Sequence, residues 1–334
     1  MKRLTWLAAL TTMVLAGSPP DAGAASLEGW RRGVNLEGWL GAAPFVPLGD
    51  VQLGQLKAVR AAGFDFVRIP VDPALFIGAR AGSAEPQASL NRLLREAAAR
   101  GLGVDVVLAP QPGLRQQVLR GGLARDTYLA LIERLAQQLS AARMPRTMLE
   151  PLAEPVDPNR SDCGPSSFDW PSVLSAFVGA ARRGAPTLPV LVTGICYADA
   201  GSLTELRPLR DKNVVYGFQY LDPLKFTQQG NPTDDHWKTL KGVRYTPADT
   251  AAMQATFAAL GGWARQHGVP VMLTSFAVHN SAPQPDRLRW FADVRQQAES
   301  QRLTWAVWSW QSPYGFGLSR SGKLQDGLKR VLGL

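Results

Sequence analysis

AAGFDFVRIPV, residues 61–71, holds the end of a helix, a turn and a strand in one short run. Ala61 and Ala62 close a stretch (51–62) whose apolar residues recur at helical spacing. Gly63 follows, where a helix end calls for left-handed backbone that glycine adopts most readily. FDFVRIPV (64–71) then turns aromatic and β-branched, as a buried strand does. The surroundings of this unit decide the fold, because a helix feeding a strand is the repeating piece of a parallel sheet.

The unit recurs along the chain. Strand-like runs are RRGVNL (31–36), FDFVRIPV (64–71), LGVDVVLA (102–109), RTMLEPLA (146–153), TLPVLVTG (187–194), NVVYGFQY (213–220), VPVMLTS (269–275) and LTWAVWSW (303–310). Helical stretches alternate with them at 51–62, 89–100, 124–142, 169–183, 200–208, 247–267, 285–300 and 322–332. Asp126 and Thr246-Pro247 read as helix starts, and Gly63, Gly101, Gly184 and Gly268 as helix ends. Such alternation predicts an α/β protein built as a (β/α)8 TIM barrel. An open doubly wound sheet is the competing arrangement, but the first strand leads into GWLGAAPFVPLGD and not into a GxGxxG turn. No Gly/Ser/Pro-rich linker divides the chain, so residues 26–334 are expected to form one domain.

MKRLTWLAALTTMVLAGSPPDAGAA (1–25) has Lys2 and Arg3, an apolar run, then small residues, the pattern of a secretory signal. The run is too short for a permanent membrane span, and Ser18 stands where a lipid anchor would need cysteine. The expected product is exported, to the periplasm or outside the cell, with no membrane insertion. With 46% hydrophobic and 19% charged residues the chain can bury a large core. Its formal charge of +9 comes without a Lys/Arg run interleaved with aromatics, which argues against nucleic acid. Single positive residues on helices, such as Arg92, Arg100, Arg115 and Arg120, fit a general pull toward an anionic envelope or an acidic polysaccharide. Cys163 and Cys196 fit one disulfide in an oxidising compartment, with two buried thiols as the alternative. His236, His267 and His279 are widely spaced, so no metal site is indicated, and no cofactor motif appears.

In a parallel barrel, chemistry gathers where strands end. That rule selects Asn35 and Glu37, Arg68 and Asp72, Glu150 and Glu154, Asp222, and Trp308 and Trp310. The segments FQYLDPLKF (218–226) and AVWSWQSPYGFG (306–317) bring aromatic faces and polar edges to the same end, which suits a pyranose sugar.

Taken in order, RRGVNLEGWL (31–40), AAGFDFVRIPV (61–71), MLEPLAEP (148–155), YLDPLKFTQQG (220–230) and WAVWSWQSPYGFGL (305–318) resemble glycoside hydrolase family 5, the cellulase-like barrels. The resemblance implies retaining hydrolysis of β-glucans or related polymers by two carboxyl groups about 5–5.5 Å apart. It places Glu154 at the acid/base position and Arg68, Glu37, Gln219, Trp308 and Trp310 among substrate contacts. At the nucleophile position, in TSFA (274–277), stands Ser275. Ala153 falls on the family's asparagine, Ala109 on its third-strand histidine, and Gln219 and Leu221 on its sixth-strand histidine and tyrosine.

A serine hydroxyl carries no charge for an oxocarbenium-like transition state and needs its own base. His279, four residues on, has no carboxylate in the motif to orient it. The leading expectation is therefore an exported carbohydrate-binding barrel of hydrolase ancestry, recognising a β-glucan or other exopolysaccharide, with a polysaccharide synthesis or export system as its conceivable associate. The alternative is an active hydrolase or transglycosylase that pairs Glu154 with a relocated carboxylate, Asp222 first. Glu150, two alternations below Glu154, is expected to pair with Arg68. A purely structural role without sugar is the third possibility.

Overall fold

The structure, a computed structural model, describes residues 24–41, 46–77, 84–160, 162–164 and 167–334. The expected signal segment, apart from Ala24 and Ala25, lies outside the described residues. Eight parallel strands close into a barrel in chain order: β1 (Arg32–Asn35), β2 (Phe66–Val71), β3 (Gly103–Leu108), β4 (Thr147–Glu150), β5 (Val190–Thr193), β6 (Val214–Tyr220), β7 (Val271–Phe276) and β8 (Thr304–Val307). The barrel is closed by pairing of β1 with both β2 and β8. Each expected strand segment holds the corresponding strand, and β7 overruns its segment by one residue. The chain is a (β/α)8 TIM barrel.

Alternation sorts the strand residues into two cores. Phe66, Met148, Leu191, Val215, Met272 and Ala306 point inward and, with Trp30, form an apolar plug at the amino-terminal end of the barrel. Outward residues such as Val67, Ile69 and Val71 join a larger shell between sheet and helices. The plug is tight: a Cβ on Gly33 would meet the Phe66 ring at 2.3 Å. One tier higher the interior turns polar, with Asn35, Arg68, Asp105, Glu150, Thr193 and Thr274 all buried.

The helices differ from expectation in particular places. Gly63, Gly101 and Gly268 do end helices in left-handed backbone, at φ 115°, 67° and 63°. Gly184 instead lies inside Trp170–Gly184, where a Cβ would come within 2.0 Å of the Glu133 carbonyl oxygen of a neighbouring helix. Asp126 is no cap, because its helix starts earlier (Gly122–Ala141). Thr246 caps as expected, in a reciprocal box with Asp249. An unforeseen helix, Pro112–Arg120, follows β3; Pro112 sits in its first turn, where a missing N–H costs nothing. Over the expected terminal helix, 322–332, only Leu328–Val331 is helical; Lys323–Leu324 instead pairs with Ser319–Arg320 in a short hairpin.

Cys163 and Cys196 form a disulfide with a Cα–Cα distance of 5.3 Å, tying the loop after β4 to the loop after β5. Its sequence separation of 33 closes a loop worth about 3–4 kcal/mol by chain entropy.

Candidate functional site

Arg68, in the polar tier, is bonded to residues of four other strands. Its Nε donates to Asp105 Oδ2 at 2.9 Å, its Nη1 to Asn35 Oδ1 at 2.9 Å and to the Thr274 carbonyl at 2.7 Å. Its Nη2 donates to Glu150, the pairing expected from alternation. Asn35 in turn donates to the carbonyls of Thr274 and Val307. One guanidinium thus faces two carboxyl groups away from water. Burial pushes Glu150 up to about 8, against the pull of Arg68, with the Asp105 charge adding to the rise. Burial raises Asp105 as well, and its Oδ1 is buried without a hydrogen-bond partner. Burial thus shifts both carboxyl groups toward the protonated form, which eases the placing of two acids beside one cation.

Above this tier opens a cleft of about 260 Å³ at the carboxyl end of the strands. Its lining joins Arg68, Glu150, Glu154, Gln219, Ser275 and Trp308 with Ala109, Ala153 and Leu221. Positions scattered from the second strand to the eighth thus meet in one place.

Glu154, just past β4, adopts left-handed backbone at φ 49° and leaves 43% of its side chain exposed. Gln219 Nε2 donates to its Oε1 at 3.3 Å. Arg115, on the unforeseen helix, donates to the Glu154 carbonyl at 2.7 Å and places Nη1 3.5 Å from its Oε2. Sequence reasoning reads Arg115 as a surface charge. The signal that could have found it is its place in the segment after β3, which a barrel puts at the mouth.

Ser275 reaches the cleft through an irregularity. Phe218 pairs with Leu273 but Gln219 pairs with Ser275, so Thr274 is an extra residue in β7. Such a bulge re-aims the side chains beyond it. Thr274 turns inward beside Gly217, while Ser275 lines the cleft next to Gln219.

Trp308 lines the cleft, and Glu37 sits behind it, accepting hydrogen bonds from the side chains of Ser312, Ser309 and Trp308 while burial raises its carboxyl. Glu37 thus steadies the indole and is not part of the lining. Trp310 is not at the mouth: β8 ends at Val307, so alternation does not carry to it. Its ring is buried edge-on to Phe64 at 6.3 Å, with Nε1 donating to Gln55 at 3.1 Å.

The other candidate carboxylates lie outside the lining. Asp72 accepts from the Ala74 N–H at 2.9 Å and turns its other oxygen toward Gln111 at 3.4 Å. Asp222 has its carboxyl raised by burial and then by Asp199, and its carbonyl accepts from Trp290. Among the described lining residues the carboxylates are Glu150 and Glu154. His279 is packed against Phe316 and accepts from the Ser281 N–H; burial pushes its ring toward the neutral form, and it does not line the cleft. Among the described residues, no helix is long and apolar enough to cross a membrane, and no group of three or more His, Cys, Asp or Glu is placed to hold a metal.

Comparison with known proteins gives this geometry a context. Residues 52–313 match the model of the family described as cellulase (glycosyl hydrolase family 5). Among solved structures, the cellulose synthase subunit Z (CcsZ) of Clostridioides difficile superposes with a TM-score of 0.79 at 22% identity, covering 91% of this chain and 99% of that one. A hyperthermophilic endo-β-1,4-glucanase solved in complex with substrate gives 0.78 at 22%, covering 92% and 98%. Endoglucanase Cel5A of Thermotoga maritima gives 0.80 at 20%, covering 91% and 97%. At such identities these likenesses speak to the fold. No match is found among curated proteins.

Proposed function

The chain belongs to glycosyl hydrolase family 5, and on that premise we propose that it is an exported barrel that binds a β-glucan or another exopolysaccharide without cutting it. One observation carries the reading. Both carboxylates of the cleft lie against a guanidinium, Glu150 against Arg68 and Glu154 against Arg115, and the end of β7 offers the hydroxyl of Ser275.

Retaining hydrolysis needs an anion that attacks the anomeric carbon and a second carboxyl group that protonates the leaving oxygen. In this reading Ser275 occupies the attacking position. Among the described residues its hydroxyl makes no hydrogen bond to a base: His279 is packed elsewhere, and Gln219, paired with Ser275 across the strands, does not take protons at neutral pH. Glu154 occupies the acid/base position, where its half-exposed carboxylate can accept hydrogen bonds from sugar hydroxyls. Trp308, fixed from behind by Glu37, offers a flat face for a pyranose ring. Ala109, Ala153 and Leu221 supply shape but no polar side-chain contact, so several interactions that strengthen only in a transition state are missing together.

Export rests on the leader-like composition of residues 1–25. The likeness to a protein named as a cellulose synthase subunit supports a place beside a polysaccharide synthesis or export system.

Hydrolysis is the second reading, favoured by the presence of Glu150 in the same cleft as Glu154. The test is to incubate the purified protein with a panel of β-glucans, measuring retention on insoluble polymer and release of reducing ends. Binding without release is expected. Release that Glu154→Gln abolishes would overturn the binding reading.

A further inference from the structure

The end of the barrel opposite the cleft carries a charge pattern of its own. Helices of a β/α barrel run back against the strands, so each segment that leads into a strand lies at the amino-terminal end. Four such segments place an exposed cation there: Lys212 before β6, Arg265 before β7, Arg302 before β8 and Arg31 before β1. These strands are successive neighbours in the closed barrel, so the four cations form one arc of its rim. Lys212, Arg265 and Arg302 make no ion pair among the described residues, and Arg31 comes only within 3.6 Å of Asp65.

Helix ends attract cations through their dipole, and Arg265, in the last turn of Pro247–His267, serves such an end. The other three stand outside helices. Arg302 holds left-handed backbone at φ 59°, where other turns from helix to strand carry Gly63, Gly101 and Gly268. An arginine there costs strain that glycine would avoid, and its side chain makes no hydrogen bond among the described residues. The carboxylates at this end are largely paired: Asp65 with Arg60, Asp211 with Arg182, and Glu299 with Arg32 and Arg295. Glu28 and Glu205 are exposed without an ion pair, but so are Arg143, Arg207 and Arg210, and the face is left with a positive excess.

Along the arc runs a groove of about 1010 Å³, lined by Arg31, Arg265 and Arg302 together with Leu27, Trp30 and Pro270. The Ala25 N–H donates to the Lys212 carbonyl at 2.9 Å, so the chain enters the described residues on this face. Residues 1–23, with the apolar run of the expected leader, are attached beside the arc.

We propose that this arc is a docking surface for the anionic headgroups of a phospholipid bilayer, on which the barrel stands with its cleft turned away. Two observations favour a membrane over an acidic protein or glycan. The unpaired cations complement a negative surface, and the apolar leader segment, which meets the bilayer during export, joins the chain at this face. Docking of this kind is independent of what the cleft binds.

Co-sedimentation of the exported protein with vesicles tests it, using phosphatidylcholine alone or mixed in equal parts with phosphatidylglycerol. Wild type is expected to bind the mixed vesicles, to ignore the neutral ones, and to be released by added salt. Each neutralised cation should weaken partitioning about fivefold, so the triple variant Lys212→Gln, Arg265→Gln, Arg302→Gly should lose about a hundredfold. Glycine suits the left-handed backbone at 302. A control triple in the segment after β6, Lys225→Gln, Lys238→Gln, Lys241→Gln, removes the same charge from the opposite end and should stay within about twofold. Any leader that remains is common to all forms, so the difference between the triples reads the face alone. Should the first triple unfold, Arg302→Gly alone, with its expected fivefold loss, takes its place. Unchanged binding in the variants of the arc, equal losses in the two triples, or equal binding of wild type to neutral vesicles overturns the proposal. Wild type that ignores both vesicles overturns it too, and retention on alginate that only the arc variants lose would then give the face to an acidic glycan.

Discussion

Two guanidinium groups line the cleft, and they are held in opposite ways. Arg68 lies in the buried tier with acceptors from β1, β3, β4 and β7 around it. Arg115 reaches in from a loop helix, grips one carbonyl and one carboxylate of Glu154, and keeps its Nε buried without a partner. The first is bound into the closure of the barrel; the second is bound to a single residue at its rim. In such a molecule the rim can change while the barrel persists.

The sharpest way to break this comparison is to remove Arg68. Arg68→Ala would leave Asp105 and Glu150 buried side by side without a cation, and breaking a buried pair in this way costs about 3–5 kcal/mol. Denaturant unfolding should show a midpoint shift of that size. A loss under about 1 kcal/mol would mean that water enters the tier freely and that the contrast with the rim is false.

A pH scan reads the same tier more gently. Burial raises Glu150 from the ordinary carboxylate value of 4.5 to about 8. A carboxyl group raised on folding adds stability below its unfolded value and loses it as pH climbs through the folded one. Melting temperature should therefore fall between about pH 5 and just above pH 8, and Glu150→Gln should flatten that slope. A slope unchanged in Glu150→Gln would place the responsible proton elsewhere.

At the rim the expected effects shrink. Arg115→Met keeps the apolar stem but leaves the Glu154 carbonyl without its donor, a loss of about 1 kcal/mol in stability. Glucan affinity should fall a few-fold as Glu154 loosens, with the pH slope of the buried tier left in place. If Arg115→Met costs as much as Arg68→Ala in unfolding experiments, the two guanidiniums are not held differently after all.

The same contrast governs how much could be read from the sequence. The strands were legible because they are buried on both faces, which forces apolar, β-branched runs such as FDFVRIPV. The Arg68–Glu150 pairing was legible because strand alternation is regular in β2 and β4. Irregular geometry hid the rest. PQPG punctuates like a loop, so the helix carrying Arg115 was missed, and a lone arginine on a helix looks like a solvated charge. The bulge in β7 is invisible to a period of two, although it decides that Thr274 and Ser275 both face inside. The end of β8 at Val307 likewise carried Trp310 away from the mouth.

Ser275 gives the smallest expected effect and the one with the most direct bearing on chemistry. Among the described residues its hydroxyl makes no hydrogen bond to protein, so Ser275→Ala removes only a group that a ligand or water would touch. Stability should move by no more than about 0.5 kcal/mol and glucan affinity by about twofold or less. A nucleophile would behave otherwise, since removing its oxygen removes the covalent step and all turnover with it. The converse change sharpens the point. Ser275→Glu with Ala153→Asn adds a carboxylate and an amide to the cleft beside Glu154, on a strand end whose bulge already aims inward. Should reducing-end release appear in that double variant and not in wild type, the scaffold beneath the rim is competent and the missing anion accounts for the silence. Should wild type already release sugar and Ser275→Ala abolish it, the serine does the chemistry, and the rim is held to its task as firmly as the tier below.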